Sequence, residues 1–208
     1  MQIKIIRFTF VNKELIRAMI NLLELTTGFF AGYSFRNRVE DEPEGDLKVI
    51  QMKDLSDNYA LINSGLSSVS SDKINSKLFL KKHDVLFLAK GSNNYAVEYT
   101  HDFEKAIASA AFFVVRPDVD KVVPAYLAWY INQLPVQQYL KENMAGTYVP
   151  NINKSTIEGI MIALPSMAMQ QKIVLIERLR KQEEALMNKI IDKRQVAVSA
   201  ALLDIANK

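Results

Sequence analysis

The pattern of apolar and polar positions divides the chain into many short segments and one long one. Near the start, "IKIIRFTF" has the apolar content of a strand. Asn12–Leu25 ("NKELIRAMINLLEL") is apolar at 15, 16, 19, 20, 22 and 23, which predicts a short helix with Asn12 as its N-cap. In "TTGFFAGYSFRNR", Gly28 and Gly32 break regular structure. Glu40–Asp46 ("EDEPEGD") reads as a solvated acidic turn. Leu47–Leu55 predicts a strand, and "SGLSSVSSDKINS" a polar loop. Lys77–Gly91 holds two apolar strand runs split by "KKHD". "NYAVEY" and "AIASAAFFVVRP" are further strands, the second ended by Pro117, which cannot donate to a ladder.

"PAYLAWYINQLPVQQYLKEN" is apolar at 126, 127, 130, 131 and 134 and therefore helical. Pro124 suits its first turn, and Pro135 kinks or splits it. Ser155 with Glu158 fits a capping box, predicting one helical turn before a strand in "TIEGIMIAL". After Pro165 the pattern changes. Ser166 is a good N-cap, and no glycine or proline follows. Ile176, Leu179, Leu186, Ile190, Ala197 and Ala200 recur close to a heptad, interrupted by Glu183 and Lys193. A helix over about 167–206 is roughly 60 Å long at ~1.5 Å per residue. A domain of the preceding length is only ~35 Å across, so much of the helix is expected to project beyond it. A long helix cannot bury a stripe against itself. The alternatives are the helix folded back on its own domain or a partner helix from a second copy or another subunit, and the partner helix is the expectation.

Composition narrows the class. The chain has 208 residues, 49% of them hydrophobic, enough for one ordinary domain with an appendage. It has no cysteine and two histidines, which removes disulfide frameworks, thiolate chemistry and a Cys/His zinc site. The longest apolar runs, such as Ala106–Val115, are about half the ~20 residues of a membrane span. A cytoplasmic protein with no membrane partner is the expectation. The net charge of +3 and pI near 8.9 permit an anionic partner without demanding one.

Catalytic signatures are lacking. His83-Asp84 and His101-Asp102 are neighbours in sequence, and neighbouring strand side chains point to opposite faces, so ordinary surface positions account for them. No GxSxG elbow, P-loop or GxGxxG run occurs. The chain does not read as an enzyme. Three polar loops differ: "FRNR", "KGSNNY" and "GTYVPNINK" each combine a basic residue, amides and an aromatic. Arg and Asn can read base edges bidentately, and Lys grips phosphates. Candidate DNA contacts are Arg36, Asn37, Arg38, Lys90, Ser92, Asn93, Asn94, Tyr95, Thr147, Tyr148, Asn151 and Lys154. Such loops are also what turns look like in general.

The order of segments carries a resemblance. "LLELTTGFFAGYSFRNR", "GDLKVIQMKDL", "FLKKHDVLFLAKGSNN", "IASAAFFVVRPD", "VVPAYLAWYINQ" and "GTYVPNINKSTIEGIMIALPSMAMQQKIV" follow one another as in the target-recognition domain of type I restriction–modification specificity subunits. The closing pattern is Asn153, Ile157, Ile160, Ile162, Leu164, Pro165, Gln171 and Val174. "PSMAMQQ" departs from the family in having one proline and no acid, and the first residues are not explained by it. The resemblance implies an α+β fold: a mixed, twisted-sheet recognition domain over 1–165 that binds double-stranded DNA, then a long coiled-coil helix over 166–208 for dimerisation and methyltransferase docking. It implies a half-subunit with one recognition domain and one helix, reading half of a split target. It implies pairing as a homodimer or with a second half-subunit through the helix. Methyltransferase and restriction subunits are the implied partners. S-adenosylmethionine, ATP and Mg are expected on those subunits and no cofactor on this chain. The interface candidates are Ile176, Leu179, Leu186, Ile190 and Ala197. A different class stays open: a helical protein-interaction adaptor that no longer binds DNA.

Overall fold

The computed structural model describes residues 19–55, 65–91, 93–144 and 150–207. The expected strand near residues 3–10 and most of the Asn12–Leu25 helix lie outside them. Nine strands are found among the described residues. β2 (Thr26–Ala31), β8 (Phe112–Pro117), β5 (Val85–Leu88) and β6 (Ala96–Glu98) form an antiparallel sheet in that order. A second sheet has the order β4 (Ser67–Val69), β3 (Leu47–Ile50), β7 (Ala106–Ala108), with β3 and β7 parallel. β1 (Met19–Asn21) pairs with β9 (Met161–Ala163). The helices are α1 (Pro124–Ile131), α2 (Leu134–Glu142), α3 (Lys154–Glu158) and α4 (Met167–Ala206).

Several elements follow from burial periodicity. All four residues of β5 are buried, as their unbroken apolar run requires. Pro135 does split the helical stretch: it sits in the first turn of α2, where its missing N–H costs nothing. Two cores result. Leu86, Leu88, Val114 and Phe112 pack with Ile50 and Tyr99 in one, and Leu47, Val49, Val69 and Ile107 form the other.

Other elements differ from the sequence expectation, each for a physical reason. The described end of Asn12–Leu25 is not α-helix. Met19–Asn21 pairs with β9, and Leu22–Leu25 forms a 3-10 turn capped by Asn21, whose side-chain oxygen accepts from the Leu23 N–H at 2.9 Å. Leu22 and Leu25, three apart, are both buried, which suits three residues per turn. Gly28 does not end β2; it marks a register shift within it. Gly32 does sit at a close approach, since a Cβ there would run into the Ser109 carbonyl. The segment 106–117 is two strands rather than one. Ser109 donates to the Ile50 carbonyl and the chain turns, so β7 stays with β3 while β8 enters the other sheet. The Lys77 run forms a 3-10 turn (Ser76–Leu78) capped by Asn75, not a strand. Asn153, not Ser155, caps α3, accepting the Thr156 N–H at 2.8 Å.

The expected polar loop contains β4, and the acidic turn explains it. The outward backbone of this edge strand is met by Glu40–Asp46. Asp41 accepts the Ser68 N–H at 2.7 Å and Glu42 the Ser70 N–H at 2.9 Å. Asp46 accepts both the N–H and the hydroxyl of Ser71. Edge strands leave N–H groups unpaired, and the carboxylates here take up that of Ser68 in the strand and those of Ser70 and Ser71 just past it. The turn is therefore a clamp and not merely solvated. Lys105 hydrogen-bonds Asp46, which holds that carboxyl well below the usual range and raises the Lys105 ammonium.

The chain divides into two compact units, one ending at Gln170 and one beginning at Gln171. The first turn of α4 belongs to the first unit. There Gln170 is 1% exposed, accepting from the Val123 N–H at 2.8 Å and donating to the Pro165 carbonyl at 2.9 Å. Gln171 is exposed. The glutamine with a structural task is thus one residue earlier than the sequence pattern placed it. The second unit is a continuous helix with exposed apolar side chains.

Candidate nucleic-acid interface

The strand directions of the four-stranded sheet bring two of the three polar loops to one end. β2 and β5 both finish there, β8 and β6 both begin there, and the Ser109–Ala111 turn closes it. Gly32 donates to the Phe112 carbonyl and Ala89 to the Ala111 carbonyl, so the exits of β2 and β5 flank the same turn. Arg36, Asn37 and Arg38 follow the first exit, and Lys90 and Asn93 the second. All five are exposed.

The third loop joins the second. Lys90 and Asn151 form an isolated antiparallel bridge. Gly91 donates to the Pro150 carbonyl at 3.0 Å and Ile152 to the Ala89 carbonyl at 2.9 Å. Gly91 has φ +96, a left-handed conformation that a side chain would strain. This short ladder places exposed Lys90 and Asn151 side by side. Tyr33 and Phe35, edge-on with centroids 4.8 Å apart, pack against the second core and anchor the backbone just before Arg36.

The candidates are not equivalent. Asn94 is buried, and its amide donates to the Leu88 carbonyl at 3.1 Å and the Ala89 carbonyl at 3.0 Å. It fastens the loop instead of facing a ligand, because a buried amide must spend its donors on nearby acceptors. Tyr95 is half-buried against the first core and is likewise a packing residue. Lys154 remains exposed but is engaged, with its ammonium 3.5 Å from Glu158 and 5.6 Å from the centroid of the Phe29 ring. Ser92, Thr147 and Tyr148 lie outside the described residues. Arg36, Asn37, Arg38, Lys90, Asn93 and Asn151 are left as exposed polar groups on the rim. Asn94→Ala is expected to cost about 1–3 kcal/mol of stability, since it removes two buried hydrogen bonds, to the Leu88 and Ala89 carbonyls. Asn93→Ala is expected to leave stability unchanged within ~0.5 kcal/mol. Urea denaturation of both variants checks the contrast.

Sequence reasoning missed a buried ion pair. Asp84 is not a surface residue: its side chain is 1% exposed and accepts both Arg116 Nε and Nη2 at 2.8 Å. Arg116 also donates to the Phe79 carbonyl and lies 5.4 Å from the Phe30 ring centroid. A lone arginine in the apolar run "FFVVRP" was the available signal. His83 bonds Glu98 at 2.7 Å, and exposed Lys82 pairs with Asp102. Neither histidine forms a dyad with its sequence neighbour. Burial pushes the Tyr99 hydroxyl up to about 12, as it does that of Tyr126. Among the described residues no group of three or more His, Asp or Glu is placed to hold a metal ion, and no helix is long and apolar enough to cross a membrane.

Comparison with known proteins agrees with the architecture. Residues 22–193 match the family described as type I restriction modification DNA specificity domain. The HindI specificity subunit of Haemophilus influenzae is 25% identical over 122 residues, covering 56% of this chain and 26% of that protein. The HsdS subunit from Thermoanaerobacter tengcongensis superposes with a TM-score of 0.58 at 17% identity, over 81% of this chain and 44% of that one. The type I S subunit from M. genitalium gives 0.55 at 14% identity, over 83% and 41%. The chain thus spans about a quarter to under half of these relatives. The α+β fold is common to them, the order of segments is the one the sequence carries, and the chain belongs to the type I restriction–modification DNA specificity family.

Proposed function

We propose that this chain is a DNA sequence-specificity unit that reads one half of a bipartite target and itself carries no catalytic step. The observation that carries the reading is the exposed rim of Arg36, Asn37, Arg38, Lys90, Asn93 and Asn151, gathered at one end of the sheet in a chain of the DNA specificity family. Guanidinium and amide groups supply the bidentate donors and acceptors that base edges require, and Lys90 supplies a phosphate contact. The Lys90–Asn151 part of the rim is held by a short backbone ladder and by the buried Asn94 amide, which lowers the ordering cost of presenting those side chains.

In this reading α4 holds a second half-subunit and docks a methyltransferase subunit, and the exposed apolar face of the helix supports that role. A restriction subunit, where present, joins through the same assembly. S-adenosylmethionine, ATP and Mg are required by those subunits and not by this chain. A mobility-shift titration with the methyltransferase subunit present tests the DNA role. Affinity is expected to fall ~10- to 1,000-fold between 50 and 200 mM salt as phosphate contacts are screened, and Lys90→Ala to lower the salt slope by about one. No shift with any DNA pool at either salt would favour a protein-only adaptor.

A further inference from the structure

The second sheet ends where the rim begins. β3 and β7 run parallel, and the Ser109 N–H donates to the Ile50 carbonyl at 2.9 Å, so β3 leaves the sheet beside the Ser109–Ala111 turn. Tyr33 bridges Ser109 in the parallel sense, so the chain leading to Arg36 and Arg38 leaves this end in the same direction. β4 is antiparallel to β3 and enters here with Ser67 opposite Val49. The residues that follow β3, Gln51 to Asp54, are thus brought to the end of the fold that carries the rim, although none of them belongs to it.

A 3-10 turn over Met52–Asp54 fixes their geometry. Asp54 is buried. Its Oδ2 accepts the Gln51 N–H at 2.7 Å, and its own N–H donates to the Gln51 carbonyl at 3.0 Å. Leu55, next along, packs against the first core. On this base three donors meet. Lys53 Nζ and Gln51 Nε2 each lie 3.4 Å from the hydroxyl oxygen of Ser67, which is 6% exposed. Ser67 accepts from both and can give its own proton onward. Lys53 is exposed, and among the described residues its ammonium enters no ion pair. An ammonium, an amide and a hydroxyl around one point, with the neighbouring carboxylate turned to the backbone, form a donor set for a tetrahedral oxyanion.

We propose that Lys53, Gln51 and Ser67 hold one backbone phosphate of the DNA, on the opposite side of the Ser109–Ala111 turn from Lys90. A phosphodiester oxygen replaces the long contacts among these donors with charge-assisted ones. Phosphate contacts fix register and orientation, not sequence, so one on each side of the turn sets how the duplex lies across the rim. A free phosphate shares this chemistry; continuity with the exit that leads to Arg36 and Arg38 favours the DNA source. The proposal rests on the DNA-reading role given above and adds a contact outside the six rim residues.

The mobility-shift titration described above, run on Lys53→Gln, tests it. Affinity is expected to fall about 15-fold at 50 mM salt and about 4-fold at 200 mM, equally for all DNA sequences, because one phosphate contact is lost and the salt slope drops by about one. Lys53→Arg is expected to restore affinity to within about 3-fold, since the charge is kept. Gln51→Leu is expected to weaken binding about 3-fold or more at both salts with the slope unchanged, because a neutral donor displaces no counterion. The thermal midpoint of Lys53→Gln stays that of the unaltered chain, since the side chain is exposed. Unaltered affinity and slope in Lys53→Gln overturn the proposal, and so does a loss confined to particular sequences. Inorganic phosphate separates the other source. A midpoint raised by millimolar phosphate in the unaltered chain but not in Lys53→Gln, with DNA affinity alike in both, marks a free-phosphate site and overturns the DNA assignment. This site and the DNA-reading role fail differently. If the unaltered chain shifts no DNA, both fall. If Lys90→Ala flattens the salt slope and Lys53→Gln does not, only this site falls.

Discussion

Arg116→Leu is expected to destabilise the domain by about 3–5 kcal/mol, because it leaves Asp84 charged, buried and without its partner. The guanidinium meets both carboxylate oxygens at 2.8 Å, and its second nitrogen also satisfies the Phe79 carbonyl. Loss of Arg116 therefore orphans a charge and a backbone acceptor together. Asp84 keeps the Lys81 N–H at 2.8 Å, which is too little to hold a buried carboxylate. The pair ties β8 to the turn before β5, the two central strands of the sheet. Replacing both residues by leucine is expected to cost less than Arg116→Leu alone, since no charge is then stranded. Urea denaturation at neutral pH measures both. A loss below ~1 kcal/mol for Arg116→Leu would mean that water reaches Asp84.

If α4 pairs as proposed, Leu186→Asp with Ile190→Asp is expected to convert a dimer to a monomer while leaving the thermal midpoint of the domain unchanged. The two side chains are 60% and 61% exposed, so the isolated chain loses almost no buried apolar contact. In a paired helix the same positions are buried, and four carboxylates would enter one seam. Dissociation should be complete at micromolar chain concentration by light scattering. A parallel fall in thermal midpoint would instead show that these side chains support the fold of the single chain.

The parts of the fold legible in the sequence are those held by burial alone. β5, β8 and α1 carry unbroken or helical apolar patterns, and their interiors are buried as those patterns require. β4 carries no such signal, because Ser67 and Ser68 are buried polar residues. It is a strand because β3 pairs with it and because Asp41, Glu42 and Asp46 take up N–H groups of it and of the residues just past it, and these carboxylate contacts are made across 25 to 28 residues. β1 is similar: its partner β9 lies at the other end of the domain. The candidate site divides the same way. Loop chemistry named Arg36, Lys90 and Asn151, which are exposed, but it could not separate exposed Asn93 from buried Asn94, because adjacent identical residues differ only in which way the turn points them. The long helix was legible in start and length, because no glycine or proline after Pro165 interrupts it, and it runs from Met167 to Ala206.

The central claim is that this chain dictates a DNA sequence, and methylation mapping tests it most directly. The chain would be combined with the proposed methyltransferase partner and S-adenosylmethionine on a random-sequence DNA library, and modified adenines located by sequencing. A two-fold pair of identical units predicts methylation at a single interrupted palindrome, on both strands, and none when this chain is omitted. Methylation that is unchanged without the chain, or spread over unrelated sequences in its presence, would contradict the account.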